Sequence, residues 1–519
     1  MSYAKNGRWP LPNSWVWATM GDIAEVVGGG TPDTKISENF GGSVPWITPA
    51  DMSSHVGKTI SHGARWISER GLLDSGARWL PSGSVLFSSR APIGYVAVSS
   101  QPVTTNQGFK SFIPKAGIAS DFVYHWLTTA KPLAEELASG TTFLEISGAK
   151  ASLIPFPVAP TDEQTRIVEK LEELLSDLDA GVAELKAAQK KLALYRQSLL
   201  KAAVEGALTA DWRARRAARD EPLETGAALL ARILTERRAR WEARQLARFK
   251  EQGKTPPKGW QARYPEPVLP DTADLPTLPE GWVWASVDQL SPDDLANGRS
   301  VPSANSGPKV LRLTAIRDGC VDLDEHKCGD WSESDARQFW VTEGDLLIVR
   351  GNGSLSLVGR MGRVAETSAS IAYPDTMIRL RVLDAVVAPS WINLVWNAHI
   401  VRSHIERRAR TSAGIYKISQ PDITSTPIPV PPICEQRQIE ERFGEHVVVL
   451  QAIELALATG MKQSAAQRKN LLKAAFSGQL VPQDPNDEPA SALLARIRAE
   501  REARSHGNLT RRTRKAIHA

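Results

Sequence analysis

IPFPVAPTDEQTRIVEKLEELLSDLDAGVAELKAAQKKLALYRQSLLKAA, residues 154–203, opens as a proline strap and continues with a seven-residue apolar period. Leu171, Leu178, Leu185, Leu192 and Leu199 form one line, with Leu174, Val182, Ala188, Tyr195 and Ala202 supplying the second seam position. A heptad sustained in this way is the pattern of a coiled coil. Proline disfavours helix before it and is tolerated in a first turn, so the strap should end a globular head and launch the helix. From Thr161 to Glu205 that helix would run about 45 residues, or roughly 65 Å.

The passage occurs twice. EISGAKASLIPFPVAPTDEQ (145–164) returns as KISQPDITSTPIPVPPICEQ (417–436), a shift of 272, and LPNSWVWATMGDI (11–23) returns as LPEGWVWASVDQL (278–290), a shift of 267. LLKAA at 199–203 recurs at 471–475, and ALLARI at 228–233 recurs at 492–497. Trp, Pro and Gln matched in order identify a tandem duplication. The second helix keeps Ile439, Phe443, Val447, Leu450, Leu457 and Leu471 on the seam but carries Ser464 and Gln467 into it, which predicts the weaker partner. Before each strap lie short apolar runs with Gly/Pro punctuation that read as strands, such as SVLFSSRAPIGYVAV and DLLIVRG. The predicted class is α+β: two tandem α/β heads, each followed by a long helix, with the helices paired as an antiparallel coiled coil of pseudo-twofold symmetry. Two heads at the starts of paired helices stand more than one DNA turn, about 34–36 Å, apart only if the helices are antiparallel.

The boundaries follow from the repeat. Residues 1–157 form the first head, 158–252 its helix and helical extension, 253–277 a Pro-rich stiff linker, 278–430 the second head, 431–506 the second helix and extension, and 507–519 a basic tail. The net charge of +5 is not in the heads. Residues 11–157 hold 10 basic and 11 acidic groups and residues 276–430 hold 16 and 18, whereas 206–255 hold 12 and 7, and 490–519 hold 8 and 2. Neither head has the basic footprint of an independent DNA binder.

Several function classes are excluded or disfavoured. No window resembles a spanning helix and the start, MSYAKNGRWPLP, resembles no signal peptide, so the expectation is a cytoplasmic protein without membrane contact. Cys320, Cys328 and Cys434 are too sparse for a disulfide framework or a zinc site. VGKT (56–59) and QGKT (252–255) end like phosphate-binding loops, but Met52 and Arg248 stand where the loop needs glycine. Gly28, Gly29 and Gly30 before Thr31 and Pro32 make a turn, not a dinucleotide fingerprint. The histidines form no metal-spaced cluster, and no nucleophile or adenine-methylating motif is present. The expectation is a chain without catalytic residues, metal or cofactor of its own.

The order of motifs resembles one family, the specificity subunits of type I restriction-modification enzymes. The resemblance spans nearly the whole chain: the Trp-x-Trp opening, GGGTP (28–32), PWITPADM (45–52), TNQGF (105–109) and the Pro-x-x-Glu-Gln junction at 160–164 and 432–436. Copy two has ANGRSVP (296–302) and YPDTM (373–377) in place of GGGTP and TNQGF. The resemblance implies two target-recognition domains, each reading half of a bipartite asymmetric site in double-stranded DNA. It further implies two modification subunits that bring S-adenosylmethionine and methylate adenine, and two restriction subunits that use ATP and Mg to drive cleavage. Arg suits guanine, and Asn or Gln suits adenine, when presented on short loops. The candidate DNA-binding residues are thus Thr31, Arg90, Asn106, Gln107, Thr141 and Thr142 in copy one, and Arg317, Arg350, Asn352, Ser354, Tyr416 and Lys417 in copy two. Gln164, Arg166, Gln436 and Arg437, at helix entry, are expected at the head–helix hinge or the partner interface. The neutral heads leave a second reading open, a duplicated coiled-coil scaffold that never binds DNA. On the first reading, tight DNA binding should depend on the modification subunits.

Overall fold

Alternating Pro-x-Pro gives each strap donors on one side only, which suits a two-stranded ribbon with a free edge. Pro155–Val158 pairs antiparallel with Val16–Thr19, placing Trp17 opposite Pro157, and Pro427–Val430 pairs with Val283–Ser286, placing Trp284 opposite Pro429. The first and last segments of each head are therefore stitched together where the helix begins. The computed structural model describes residues 9–140, 144–219, 224–365, 370–383, 386–412 and 414–517, with only the backbone at 412 and from 504 onward.

The chain divides into two units, Met1–Lys186 with Ala458–Ala519, and Ala187–Leu457. In unit one the head holds a five-stranded sheet in the order 24–28, 110–114, 85–89, 93–99, 59–60, beside a three-stranded sheet built on Phe40–Ile47. Val85, Phe87 and Phe112 face the helix Ser120–Thr129, whose Phe122 and Trp126 are fully buried. The same core takes in Ile167, Leu171 and Leu175 of the first long helix (Thr161–Val204) and Phe476 of the second (Ile433–Phe476). Leu493, Leu494 and Ile497 of the last helix (Ala490–Ile517) complete it. In unit two the sheet has six strands in the order 296–297, 377–380, 346–349, 361–363, 320–321, 316–317. Its core joins Leu346, Ile348, Trp391 and Trp396 to Ala203 and Val204, to Ile439, and to Leu229 and Ile233 of the helix Gly226–Glu251.

The long helices run antiparallel within each unit. In unit one Arg468 pairs with Asp179, and Gly460 lies against Leu185. In unit two Arg196 meets Glu454 at 3.5 Å and Tyr195 meets His446 at 3.3 Å. Leu178, Leu185 and Leu192 are half-buried, as expected of a seam with one neighbouring helix, while Leu171 and Leu199 are buried. Two seam expectations need correction. Tyr195 is 47% exposed and Gln467 is exposed, and the half-buried positions are the next residues, Arg196 and Arg468, each paired with an acid of the other helix. Ser464 does sit in the seam, and its hydroxyl donates to the Gly460 carbonyl at 3.0 Å, satisfying itself on its own helix.

The proline-rich stretch before the second head is pinned rather than free. Trp260 stacks on Trp241 with ring centres 5.7 Å apart, Arg237 donates to the Tyr264 hydroxyl at 2.7 Å, and Asp288 accepts from the Val268 backbone at 2.9 Å. Aromatic burial at Trp260 and Tyr264, not backbone stiffness alone, sets the course of this segment.

Candidate nucleic-acid interface

Both heads hold short loops on the same frame, built from main-chain hydrogen bonds to one central strand. The strand ending at Ser89 receives a loop on one side, the Ser89 N–H donating to the Gly108 carbonyl at 2.7 Å, and a hairpin on the other, the Ile146 N–H donating to the Ser89 carbonyl at 3.1 Å. In head two the Arg350 N–H donates to Thr376 O at 2.8 Å, and the Ile418 N–H donates to Arg350 O at 2.9 Å. Ser89 and Arg350 are thus the same position. The hairpin arm pairs Ser139, Glu145 and Arg90 in head one; in head two Arg410–Ser412, Ile415–Lys417 and Gly351–Asn352 form the corresponding three strands.

The frame explains a difference the sequence presented as a loss. A Cβ on Gly29 would fall 2.0 Å from Asn106 O and 2.4 Å from Thr105 O; one on Gly298 would fall 2.2 Å from Pro374 O and 2.3 Å from Tyr373 O. Copy two keeps the one glycine that the close approach requires, so ANGRSVP does the work of GGGTP and YPDTM sits where TNQGF sits. Arg299 then occupies the position of Gly30, and Asp375 that of Gln107. Neither was among the expected DNA-contacting residues; alignment of the two loops on Gly29 and Gly298, rather than on the GGGTP string, is what places them at these positions.

Most of the candidates converge. Thr31 hydrogen-bonds Gln107, and the Lys110 ammonium donates to the Gln107 carbonyl at 3.3 Å. Asn106 accepts from the Gly108 N–H at 2.9 Å, and Asn352 accepts from the Ser354 N–H at 3.0 Å. Each asparagine therefore turns its own loop with its amide oxygen, and among the described residues its amide nitrogen has no hydrogen-bond acceptor. Asn352 lies opposite Tyr416 and Gly351 opposite Lys417 in the ribbon, which brings Arg350, Asn352, Ser354, Tyr416 and Lys417 together. Arg317 is separate: it lies on the edge strand of the sheet and donates to Glu325 at 3.0 Å. Thr141 and Thr142 fall outside the described residues.

The helix-entry residues divide. Gln164 and Gln436 have no exposed surface. Gln164 accepts from the Ala119 N–H and donates to the Ala159 carbonyl, each at 2.9 Å; Gln436 does the same with Ala388 and Pro431 at 3.2 and 3.0 Å. They bind head to helix, and a partner cannot reach them. Arg166 is held by Asp487 at 2.6 Å, while Arg437 is exposed. Beside each glutamine a buried glutamate accepts from a tryptophan: Trp15 to Glu163 and Trp282 to Glu435, both at 2.9 Å. Burial holds the Glu163 carboxyl above its usual range against the pull of its Trp15 and Gln483 hydrogen bonds. The helix pair in unit two also exposes Leu194 (64%), Val448 (67%), Val449 (58%) and Leu455 (70%), apolar residues off the seam. Among the described residues no helix is long and apolar enough to cross a membrane, and no group of side chains is arranged to hold a metal.

Comparison with known proteins places these features. Residues 12–187 match the type I restriction modification DNA specificity domain. The MjaIX specificity subunit of Methanocaldococcus jannaschii is 41% identical over 164 residues, which cover 31% of this chain and 38% of that one. The EcoKI specificity subunit of Escherichia coli is 27% identical over 403 residues, 75% of this chain and 74% of that one, and the EcoBI subunit is 21% identical over 512 residues, 96% and 94%. The chain thus spans well under half of the first relative's length and about three quarters or more of the other two. A solved structure from work on complex assembly and conformational transition of the type I R-M system shares the fold with a TM-score of 0.62, at 18% identity, over 91% of this chain and 100% of that one.

Proposed function

We propose that this chain is a specificity subunit of a type I restriction-modification system, as its specificity-domain match and its relatives support, and that each head reads one half of a split, asymmetric target in double-stranded DNA. The observation that carries this reading is one loop-and-hairpin frame occurring in both heads with different side chains on it. Thr31, Arg90, Asn106 and Gln107 occupy the frame in one head, and Arg350, Asn352, Ser354, Tyr416 and Lys417 in the other. A fixed frame with changed readers suits two unlike half-sequences. The long antiparallel helices suit a fixed untouched spacer between them.

The chain acts without chemistry of its own. Two modification subunits carrying S-adenosylmethionine methylate adenine in the target, and restriction subunits with ATP and Mg add cleavage. The exposed apolar residues Leu194, Val448, Val449 and Leu455 suit a helical partner surface, and the neutral heads suit a chain whose DNA affinity comes from subunits that close around the duplex. A scaffold that never touches DNA has no support from a DNA specificity domain match. Co-expression with a modification subunit, followed by mapping of methyladenine across a genome, tests the reading. One bipartite motif with a constant gap is expected; methylation without sequence preference sinks it.

A further inference from the structure

The two frames carry opposite charge at the same hairpin position. Glu145 and Lys417 stand one residue before Ile146 and Ile418, whose N–H groups make the equivalent bonds to Ser89 and Arg350. In head one the Glu145 carboxylate lies 3.5 Å from the Arg90 guanidinium and 3.8 Å from the Lys110 ammonium, so both cations of the frame share one internal counter-ion. The Lys110 side chain is only 16% exposed, and burial, with the nearby Arg90 charge adding to it and Glu145 opposing it, depresses its pKa, so Glu145 is the acid that offsets the cost of keeping this cation inside the frame. In head two the corresponding site offers Arg350 and Lys417, and neither has an ion pair among the described residues. Ser89, which stands where head two has Arg350, is buried and uncharged.

We propose that Glu145 is a positioning residue that holds Arg90 and Lys110 away from DNA phosphate, while Lys417, at the same position in head two, makes that head the stronger electrostatic anchor of the pair. The inference rests on the DNA-recognition reading above. Head two then captures phosphate first and with little regard to sequence. Head one engages only where its loops meet their bases closely enough for phosphate to displace Glu145 from its two cations. Sequence discrimination is thereby weighted to head one, and non-specific affinity to head two.

The test uses the complete complex of this chain with its modification subunits. Fluorescence anisotropy is read on a duplex carrying the mapped target and on a scrambled duplex, across KCl from about 50 to about 200 mM. Each phosphate contact contributes about 0.9 to the slope of log affinity against log salt. Glu145→Gln should bind the scrambled duplex several-fold more tightly at low salt and steepen the slope by about 0.9 to 1.8. Glu145→Asp should keep the wild-type slope, and Lys417→Gln should flatten it by about 0.9. An unchanged slope in Glu145→Gln, with site-specific methylation intact, overturns the inference and leaves the DNA-recognition reading standing. A changed half-sequence in the methylation map of Glu145→Gln also overturns it, because Glu145 would then be reading a cytosine amine. A wild-type complex that binds no DNA defeats both.

Discussion

In unit one the buried Glu163 accepts from Trp15 and from the neutral Gln483, whereas in unit two the buried Glu435 accepts from Trp282, from Thr209 at 2.7 Å, and from Arg213. The launch point of each helix is the same, down to the glutamine that ties it to the head, yet one carboxylate is paired directly with a cation and the other is hydrogen-bonded by neutral donors only. The reading frames show the reverse pattern, with head one paired to an internal acid and head two left cationic. A duplicated module has kept the junction, where Glu163, Gln164, Glu435 and Gln436 are buried and a change must be matched by a neighbour. It has diverged in the loops, where solvent tolerates any side chain the backbone can carry.

That contrast can be broken most sharply at the junction. Glu435→Ala strands Arg213 and should destabilise unit two by about 3–5 kcal/mol, against about 1–3 kcal/mol for Glu163→Ala in unit one. Urea titration with peptide-level hydrogen exchange reads the two units separately, and equal losses would mean the ion pair adds nothing. Next in size are Gly29→Ala and Gly298→Ala, whose methyl groups would overlap backbone carbonyls and should cost about 1–3 kcal/mol each. Methylation mapping should show each variant relaxing one half of the target while the other half is still read; loss of both halves from one substitution would show that the frames are not independent.

The smallest expected effect is in acid response. His404 in head two is pushed down to about 4 by burial and by the neighbouring Arg408 and Arg407 charges, with Asp422 opposing them. His125 in head one is also lowered by burial, but Glu172, 3.2 Å away, opposes the shift. A lowered folded-state value means the unfolded chain takes up the proton first. Stability is therefore complete above pH 6.5 and is lost as the pH falls toward about 4. Between those values unit two should open to proteolysis before unit one, and His404→Gln should remove the difference; simultaneous opening would show that His404 is not the acid-sensitive group.

Much of this was legible in the chain itself. The heptad leucines and the proline strap determined the two long helices and where each head ends, because period and proline act locally. The shift of 272 determined the duplication, and the junction residues Gln164 and Gln436 stood out within it. The frame was less legible: Gly298 carries no string in common with GGGTP beyond itself, since what selects it is a carbonyl oxygen some eighty residues away in the chain. Tyr195 was misplaced because a heptad rule assumes a seam that never shifts.

One matter was decided only by tertiary structure. In sequence each ALLARI comes after its own head, and nothing local says otherwise. In the folded chain Leu229 and Ile233 of the first ALLARI are buried in the core of head two, while Leu493, Leu494 and Ile497 of the second are buried in the core of head one. The reason is the helix between. The first long helix begins in the core of head one with Ile167 and Leu171 and ends in the core of head two with Ala203 and Val204, so the extension that follows it is delivered to head two; the second begins in the core of head two with Ile439 and ends in the core of head one with Phe476, and delivers its extension to head one.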